Sequence, residues 1–408
     1  MYRETKICNS LHNNSKTKNN QEGSMIKATA SAGAALTLLA SAVATALAAP
    51  IASAEESSAY EVITAPAVMA KEAQRAVLSD IAEAGEADIA VGDYGIILRR
   101  TEQQWQQMPV PTSVFLSSVS FADAQQGWAV GHHGVIVGSS DGGQTWQRQL
   151  DGFAFIQLQQ DYFATRIAQL TDEIAAAEAD GADELIGDLE FALETAEFNL
   201  ENAQFAEEEG PTKPFLDVLA LTPEVVLVAG AYGSLLRSTD AGTSWQVLDG
   251  ALENPDGYHL NSLTADSDYT YLAGESGLLF RSADQGSTWE TLDSPYYGSF
   301  FGLHVDAEQR LWAFGLRGNI FVSEDHGESF SQISLQDPVN INAAIDAPDG
   351  GVYLVGNAGV IAWANAAGEV LESTHSSGAA LTDVVLNDDG TLTMVGQRGL
   401  LTQPALRN

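Results

Sequence analysis

Four aspartates, Asp141, Asp240, Asp284 and Asp325, and three arginines, Arg99, Arg237 and Arg281, are the residues of this chain whose types and spacing could do chemistry. Carboxylates could run acid–base hydrolysis, and a trio of arginines could hold an anionic substrate. Either task requires the groups to converge on one site. Here each Asp sits at the same place in a Ser-x-Asp-x-Gly-x-Thr/Ser-aromatic segment, and each Arg stands four residues after a Gly-x-x-Gly. Residues copied once per repeat are spread by that repeat, so the Asp segments read as structural turns and no carboxylate pair for glycoside hydrolysis is gathered. No catalytic, cofactor or metal site is expected. His132 and His133 are adjacent, so their side chains diverge, and no third ligand is evident in the sequence.

The element that positions these residues is GESGLLFRSADQGSTW, Gly274 to Trp289, which recurs along the chain. Its paired glycines suit a tight turn between strands, LLF a strand buried on both faces, Ser-x-Asp-x-Gly a second turn, and Trp the start of another strand. Gly-x-x-Gly turns begin at Gly92, Gly131, Gly230, Gly274, Gly315, Gly356 and Gly396, at intervals of 39, 99, 44, 41, 41 and 40 residues. A period near forty with four short strands per unit is the signature of a β-propeller. Seven turns predict an all-β, seven-bladed β-propeller carrying one insertion.

The variable residues inside the glycine turns would then ring one face near the axis. Tyr94, His132, His133, Tyr232, Arg317 and Arg398 are the candidate partner-binding residues, with Asp93, Glu275, Asn357 and Gln397 beside them. Mixed polar and aromatic side chains suit a binding surface, and ordinary solvated turns are the alternative.

The long interval is filled by residues 153–212. Ile156, Phe163, Ile167, Leu170, Ile174 and Ala177 keep a heptad-like spacing, as do Leu185, Leu189, Ala192, Leu193, Ala196, Leu200 and Ala203, with Gly181 between the two runs. This predicts a helical hairpin, acidic on its outer faces, emerging on the side of the Gly-x-x-Gly turns. Phe191, Phe198 and Phe205 lie seven apart, opposite the main apolar stripe. They either pack on the propeller or first helix, or form an apolar ridge for a partner.

Residues 1–24 read as a dispensable leader. Residues 25–54, with Lys27 before an Ala/Leu-rich core, read as a signal peptide for export to the periplasm or beyond. The only cysteine, Cys8, precedes them, so the mature chain would hold no disulfide or thiolate. Beyond residue 54 there are 13 basic and 53 acidic residues, and the only lysines are Lys71 and Lys213. Such a chain will not bind nucleic acid or an anionic membrane by charge, and it suits a saline habitat. A monomer is expected. The propeller should span residues 60–408, with only three strands in the last repeat, Ala380 to Leu406. Tyr60 to Met69, YEVITAPAVM, is expected to be the outer strand that closes this last blade.

VGHHGVIVGSSDGGQTW and AGAYGSLLRSTDAGTSW resemble the bacterial neuraminidase (Asp-box) repeat and, in this form, the photosystem II stability and assembly factor propellers. The resemblance covers Tyr60 to the C-terminus apart from the hairpin, and the chain looks like a non-photosynthetic bacterial branch of that family. It implies an exported, non-enzymatic assembly factor for a membrane complex, with relatives encoded beside RND-type transporters. Photosynthetic members carry an arginine patch, of which only Arg317 and Arg398 could reproduce part. Sialidases share the Asp-box, so a carbohydrate-binding or sialidase-like propeller is the alternative, but their Phe/Tyr-Arg-Ile-Pro motif is absent.

Overall fold

The computed structural model describes residues 60–406 except Gln103. The expected leader and signal peptide, with Cys8, fall outside the described residues. From residue 78 onward the chain forms seven antiparallel sheets spanning residues 78–108, 116–150, 215–247, 260–291, 300–334, 341–374 and 381–404, here called sheets 1 to 7. Sheets 1 to 6 have four strands each and sheet 7 has three, always in sequence order. The inner strand of each sheet packs beside the inner strand of the next, and that of sheet 7 beside that of sheet 1.

The apolar runs before each first glycine explain the second strands. Gly127–Gly131, Val226–Gly230, Thr270–Gly274, Leu311–Gly315 and Val352–Gly356 are buried at every position. Both faces of each are covered by neighbouring sheets, so the pattern is continuous instead of alternating.

The two glycines do different work. Gly131 is extended, and a Cβ there would lie 2.1 Å from the Phe115 carbonyl oxygen, so the first glycine is set by close approach. Gly134 has φ +64, and the second glycine is set by its left-handed backbone. The close approach lets the N–H after the first glycine reach the carbonyl just before the inner strand. That bond recurs in all seven sheets, from Asp93 to Val77, His132 to Phe115, Ala231 to Pro214, Glu275 to His259, Leu316 to Ser299, Asn357 to Asn340 and Gln397 to Ala380.

Each Asp-box is consumed by its own turn. Asp141 accepts from Ser139 Oγ at 2.9 Å, Thr145 N at 2.9 Å and Thr145 Oγ1 at 2.7 Å, and Trp146 Nε1 donates to the Gly143 carbonyl at 3.1 Å. Asp240, Asp284 and Asp325 accept the same three bonds, and of the closing aromatics in these turns Trp289 also repeats the indole bond, to the Gly286 carbonyl at 3.1 Å. The Ser244 and Ser329 hydroxyls, with their backbone N–H groups, hold Asp240 and Asp325 below the usual carboxylate range.

The three arginines cap those turns across the seams. Arg99 Nε of sheet 1 donates to the Gly142 carbonyl in sheet 2 at 2.8 Å, Arg237 Nε of sheet 3 to Gln285 in sheet 4 at 2.9 Å, and Arg281 Nη1 of sheet 4 to His326 in sheet 5 at 2.8 Å. Sheet 2 has Gly138 at the arginine position. There Gln149 reaches across instead, Nε2 donating to the Ala241 carbonyl at 3.0 Å.

Residues 60–69 are not the outer strand of sheet 7, which corrects the expected closure. Glu61–Thr64 is a single helical turn, α1, and the segment lies between sheets 1 and 2. Ala67 N donates to the Val110 carbonyl at 3.0 Å, Ser113 N to Val62 at 2.9 Å, and Arg148 Nη1 to Ile63 at 2.8 Å. Ile63 and Ala67, four residues apart, are buried among Val110, Val114 and Trp146. Buried residues four apart suit a helical turn and not the two-residue alternation of a strand, and that spacing decides the packing. Sheets 7 and 1 meet at their inner strands, where Thr382 Oγ1 donates to the Leu78 carbonyl at 3.0 Å and Ile81 N to Asp383 Oδ2 at 3.0 Å.

The insertion is the expected hairpin. Helix α2, Gly152–Asp180, is capped by the Asp151 side chain, which accepts from Ala154 N, and stops at Gly181 with φ +69. Helix α3, Asp183–Glu209, returns along it. Phe163, Leu170 and Ala196 form the buried seam between them.

Candidate protein-binding face

The glycine turns hold their third residue in the left-handed region, at Tyr94 (φ 55), His133 (φ 57), Tyr232 (φ 58), Ser276, Arg317 (φ 60) and Ala358. That geometry aims the side chain away from the sheet. Tyr94 and Tyr232 are 64% and 62% exposed, and Arg317 and Arg398 are exposed as well. Tyr232 stacks edge-on against His259, with ring centroids 4.9 Å apart.

The hairpin is rooted in this face. Gly152 packs against the carbonyl of His133, and His133 Nδ1 donates to the Pro211 carbonyl at 2.7 Å. Tyr60 donates its hydroxyl to the Glu209 carbonyl and sets its ring against His133 and Phe153. Phe155 is buried on Phe215 of sheet 3, with centroids 5.0 Å apart. Beneath it, Gln159 Nε2 donates to Asp249, whose carboxyl is pushed up by burial and also accepts from Leu235 N at 2.9 Å. Burial pushes the nearby Lys213 ammonium down.

Beyond this root the hairpin stands on its own seam. Phe191, Phe198 and Phe205 remain 63%, 61% and 58% exposed, so neither α2 nor the sheets cover them. The two helices carry 15 acidic residues and one basic residue, Arg166. An apolar ridge in an anionic field is the result.

Two kinds of comparison bear on this geometry. The family of the photosynthesis system II assembly factor YCF48 matches residues 97–174 and 201–297. Solved YCF48 bound to a D1 peptide superposes with a TM-score of 0.55 at 16% identity, over 81% of this chain and 94% of that one. The chain shares the β-propeller fold of these assembly factors, and less than half of it matches their family. YCF48 from Cyanidioschyzon merolae superposes with a TM-score of 0.52 at 15% identity, over 80% and 95% of the two chains. The WD40 β-propeller domain of Doa1 gives 0.54 at 10% identity over 83% and 95%. The chloroplastic photosystem II stability/assembly factor HCF136 of Cyanidioschyzon merolae is 40% identical over 45 residues, 10% of this chain, which therefore spans only 10% of that relative's length in the match.

On this propeller the sequence candidates divide. Tyr94, His132, Tyr232, Arg317 and Arg398 are exposed on the turn face. His133 is absorbed into the hairpin root. His132 lies against Phe115, centroids 5.1 Å apart, and partial burial together with His133 pushes its pKa below the usual histidine value. Arg317 in sheet 5 and Arg398 in sheet 7 are separated by the turn of sheet 6, where Ala358 stands at the equivalent place.

Sequence reasoning missed the partners of Arg99, Arg237 and Arg281. The signal was present, because each Arg is followed, one repeat later, by an intact Asp-box. Tyr60 and Gln159 at the hairpin root had no such signal, because their contacts are 149 and 90 residues away in sequence.

Proposed function

We propose that the chain is a seven-bladed, non-enzymatic scaffold, exported from the cytoplasm, that binds a protein subunit of a membrane complex during its assembly or upkeep. The observation that carries this reading is the uncovered ridge of Phe191, Phe198 and Phe205, on a hairpin rooted in a face that also exposes Tyr94 and Tyr232. Aromatic side chains dominate the energetics of protein interfaces, and three at heptad spacing match one face of a partner helix. Charge favours a partner with basic flanks over nucleic acid or an anionic bilayer. The family likeness supports a role in assembly, and the solved relative that holds a D1 peptide supports a peptide-binding propeller. A transporter of the RND type is a candidate complex.

Site-specific photo-crosslinking from positions 198 and 232 in intact cells tests this. The expected result is one membrane-complex subunit crosslinked from both positions, with the crosslink from position 232 lost in the Phe191→Ser/Phe198→Ser/Phe205→Ser variant. Turnover of a sialoside or other glycan that vanishes with a single turn-face substitution would sink the scaffold reading.

A further inference from the structure

The seam between sheets 7 and 1 lacks two things that other seams possess. Sheets 2 to 5 each push an Asp-box turn against the preceding sheet, but in sheet 1 the third and fourth strands, Ile97–Thr101 and Gln104–Met108, are separated by only two residues. Sheet 7 ends at its third strand, Leu401–Pro404, so that strand's outer edge has no partner strand among the described residues. Both omissions open onto the same place. An open-sided pocket of about 660 Å³ lies there, lined by Glu83, Glu86, Asp88 and Glu102 of sheet 1 and by Asp388 and Asp389 of sheet 7. Thr402, Gln403 and Pro404 of the free edge form part of its wall.

Charge in the pocket is poorly balanced. Arg100 is the one cation in the lining; it contacts the buried Asp88 carboxylate and donates to Asn387 Oδ1 at 2.6 Å. Partial burial, with Asp88 and Asp388 nearby, pushes the Glu83 carboxyl up. Residues 83–86 lie at the opposite end of their strands from the Gly92–Gly95 turn, so this pocket is separate from the turn face and the hairpin.

We propose that this seam is a second peptide-binding site, which takes an extended basic segment of a partner protein. The segment pairs along Leu401–Pro404 and sets a lysine or arginine among Glu83, Glu86 and Asp388. The free edge supplies strand addition, and the carboxylates supply selection for a cation. A second copy of this chain is a poor occupant, since its 13 basic residues beyond residue 54 face 53 acidic ones and its one adjacent basic pair, Arg99 and Arg100, is held within a strand of sheet 1.

Calorimetric titration of the full chain with synthetic ten-residue peptides tests the site. A peptide alternating Lys with Val or Thr should bind one to one, and the same peptide with Glu for Lys should not. Glu86→Gln/Asp388→Asn should weaken binding at least tenfold, whereas Asp172→Asn/Glu178→Gln on the hairpin, which removes the same charge, should change it less than twofold. Amide exchange of residues 401–403 should slow on binding. Equal losses from the two double variants, undiminished binding of a peptide with Pro at alternate positions, or slow exchange at 401–403 before any peptide is added, as when residues 1–59 already fill the seam, would each overturn the proposal.

Discussion

One arc of the ring, sheets 2 to 5, and the other, sheets 6, 7 and 1, are built from the same repeat but closed in different ways. In the first arc every sheet keeps its Asp-box, and a side chain of the preceding sheet caps a carbonyl of that turn. In the second the turn has shortened or vanished. The glycine turns and inner strands persist around both arcs, down to the same backbone bond in all seven sheets. The axis is therefore held by features that every repeat must keep, and the rim by features that a repeat can lose. What is lost at the rim becomes exposed edge and pocket.

The largest effect that could break this contrast comes from the closing Trp of the Asp-box. Trp146 is buried in the cluster that joins sheets 1 and 2, with Phe121 edge-on at 6.0 Å. Trp146→Ala should cost about 3–5 kcal/mol. Trp105 in sheet 1 is half-buried under Arg100, 5.4 Å from its ring, without an Asp-box to hold it. Trp105→Ala should cost roughly 1 kcal/mol. Urea unfolding of the two variants measures the gap, and equal losses would erase the distinction between the arcs.

Next in size are the caps. Arg281 is buried, donates to the His326 carbonyl, pairs with Glu290 at 2.6 Å and Glu328 at 2.8 Å, and lies over the Tyr269 ring at 4.7 Å. Arg281→Met leaves the His326 carbonyl without its charged donor, while the two exposed carboxylates stay hydrated, for a loss of about 1.5–3 kcal/mol. Arg237→Met removes one bond from a more exposed side chain and should cost about 1 kcal/mol. A thermal melt of each separates them. If the two losses are alike, the capping bond alone sets the strength of a seam.

Much of this was legible in the sequence, and the unread remainder has a common cause. Turns, buried strands and the hairpin are local, so Gly-x-x-Gly, Ser-x-Asp-x-Gly and the heptads at Ile156–Ala177 announce them. Exposure of the Phe191, Phe198 and Phe205 stripe was one of two readings that spacing leaves open, since a second apolar face is decided by whatever packs on it. Tyr60–Met69 looked like a strand by its Val and Ile content, and its place between sheets 1 and 2 depends on residues 111–113 and 148. The pocket at the seam of sheets 7 and 1 arises from two absences about 300 residues apart, which no local pattern records.

The axis can be tested by pH. Inner-strand bulges place Asp217, Asp80 and Asp383 where they cross between sheets. Asp217 accepts from Leu263 N at 2.6 Å and Ser118 Oγ at 2.7 Å, and Asp80 from Val119 N at 2.7 Å. Burial pushes Asp217 up to about 7, and burial together with Asp80 pushes Asp383 well above its ordinary value. A carboxyl whose folded pKa is raised binds its proton more tightly in the native state. Stability should therefore fall as pH rises from about 4 to about 7 and level off above, with a slope of up to about 1.4 kcal/mol per pH unit from Asp217. Asp240 and Asp325, held low, act in the opposite direction only below about pH 4. Asp217→Asn should flatten the slope between pH 4 and 7, and an unchanged slope would assign it to the pair in the weaker arc.

The smallest effect is expected where the two arcs are not involved. The hairpin enters between sheets 2 and 3, inside the stronger arc, yet the Gln149 cap of that seam is intact. Its first turns are anchored through Phe155 and Gln159, and Phe191, Phe198 and Phe205 lie on α3 facing solvent. Replacing exposed side chains should change stability by no more than about 0.5 kcal/mol each. Phe163→Ala, at the buried seam between the helices, should instead cost about 3–5 kcal/mol of hairpin stability. Hydrogen exchange separates the two, with fast exchange confined to residues 152–209 in Phe163→Ala and an unaltered profile in the triple Ser variant. Faster exchange in sheets 2 or 3 of the triple variant would mean that the ridge supports the ring, and its exposure would no longer argue for a partner.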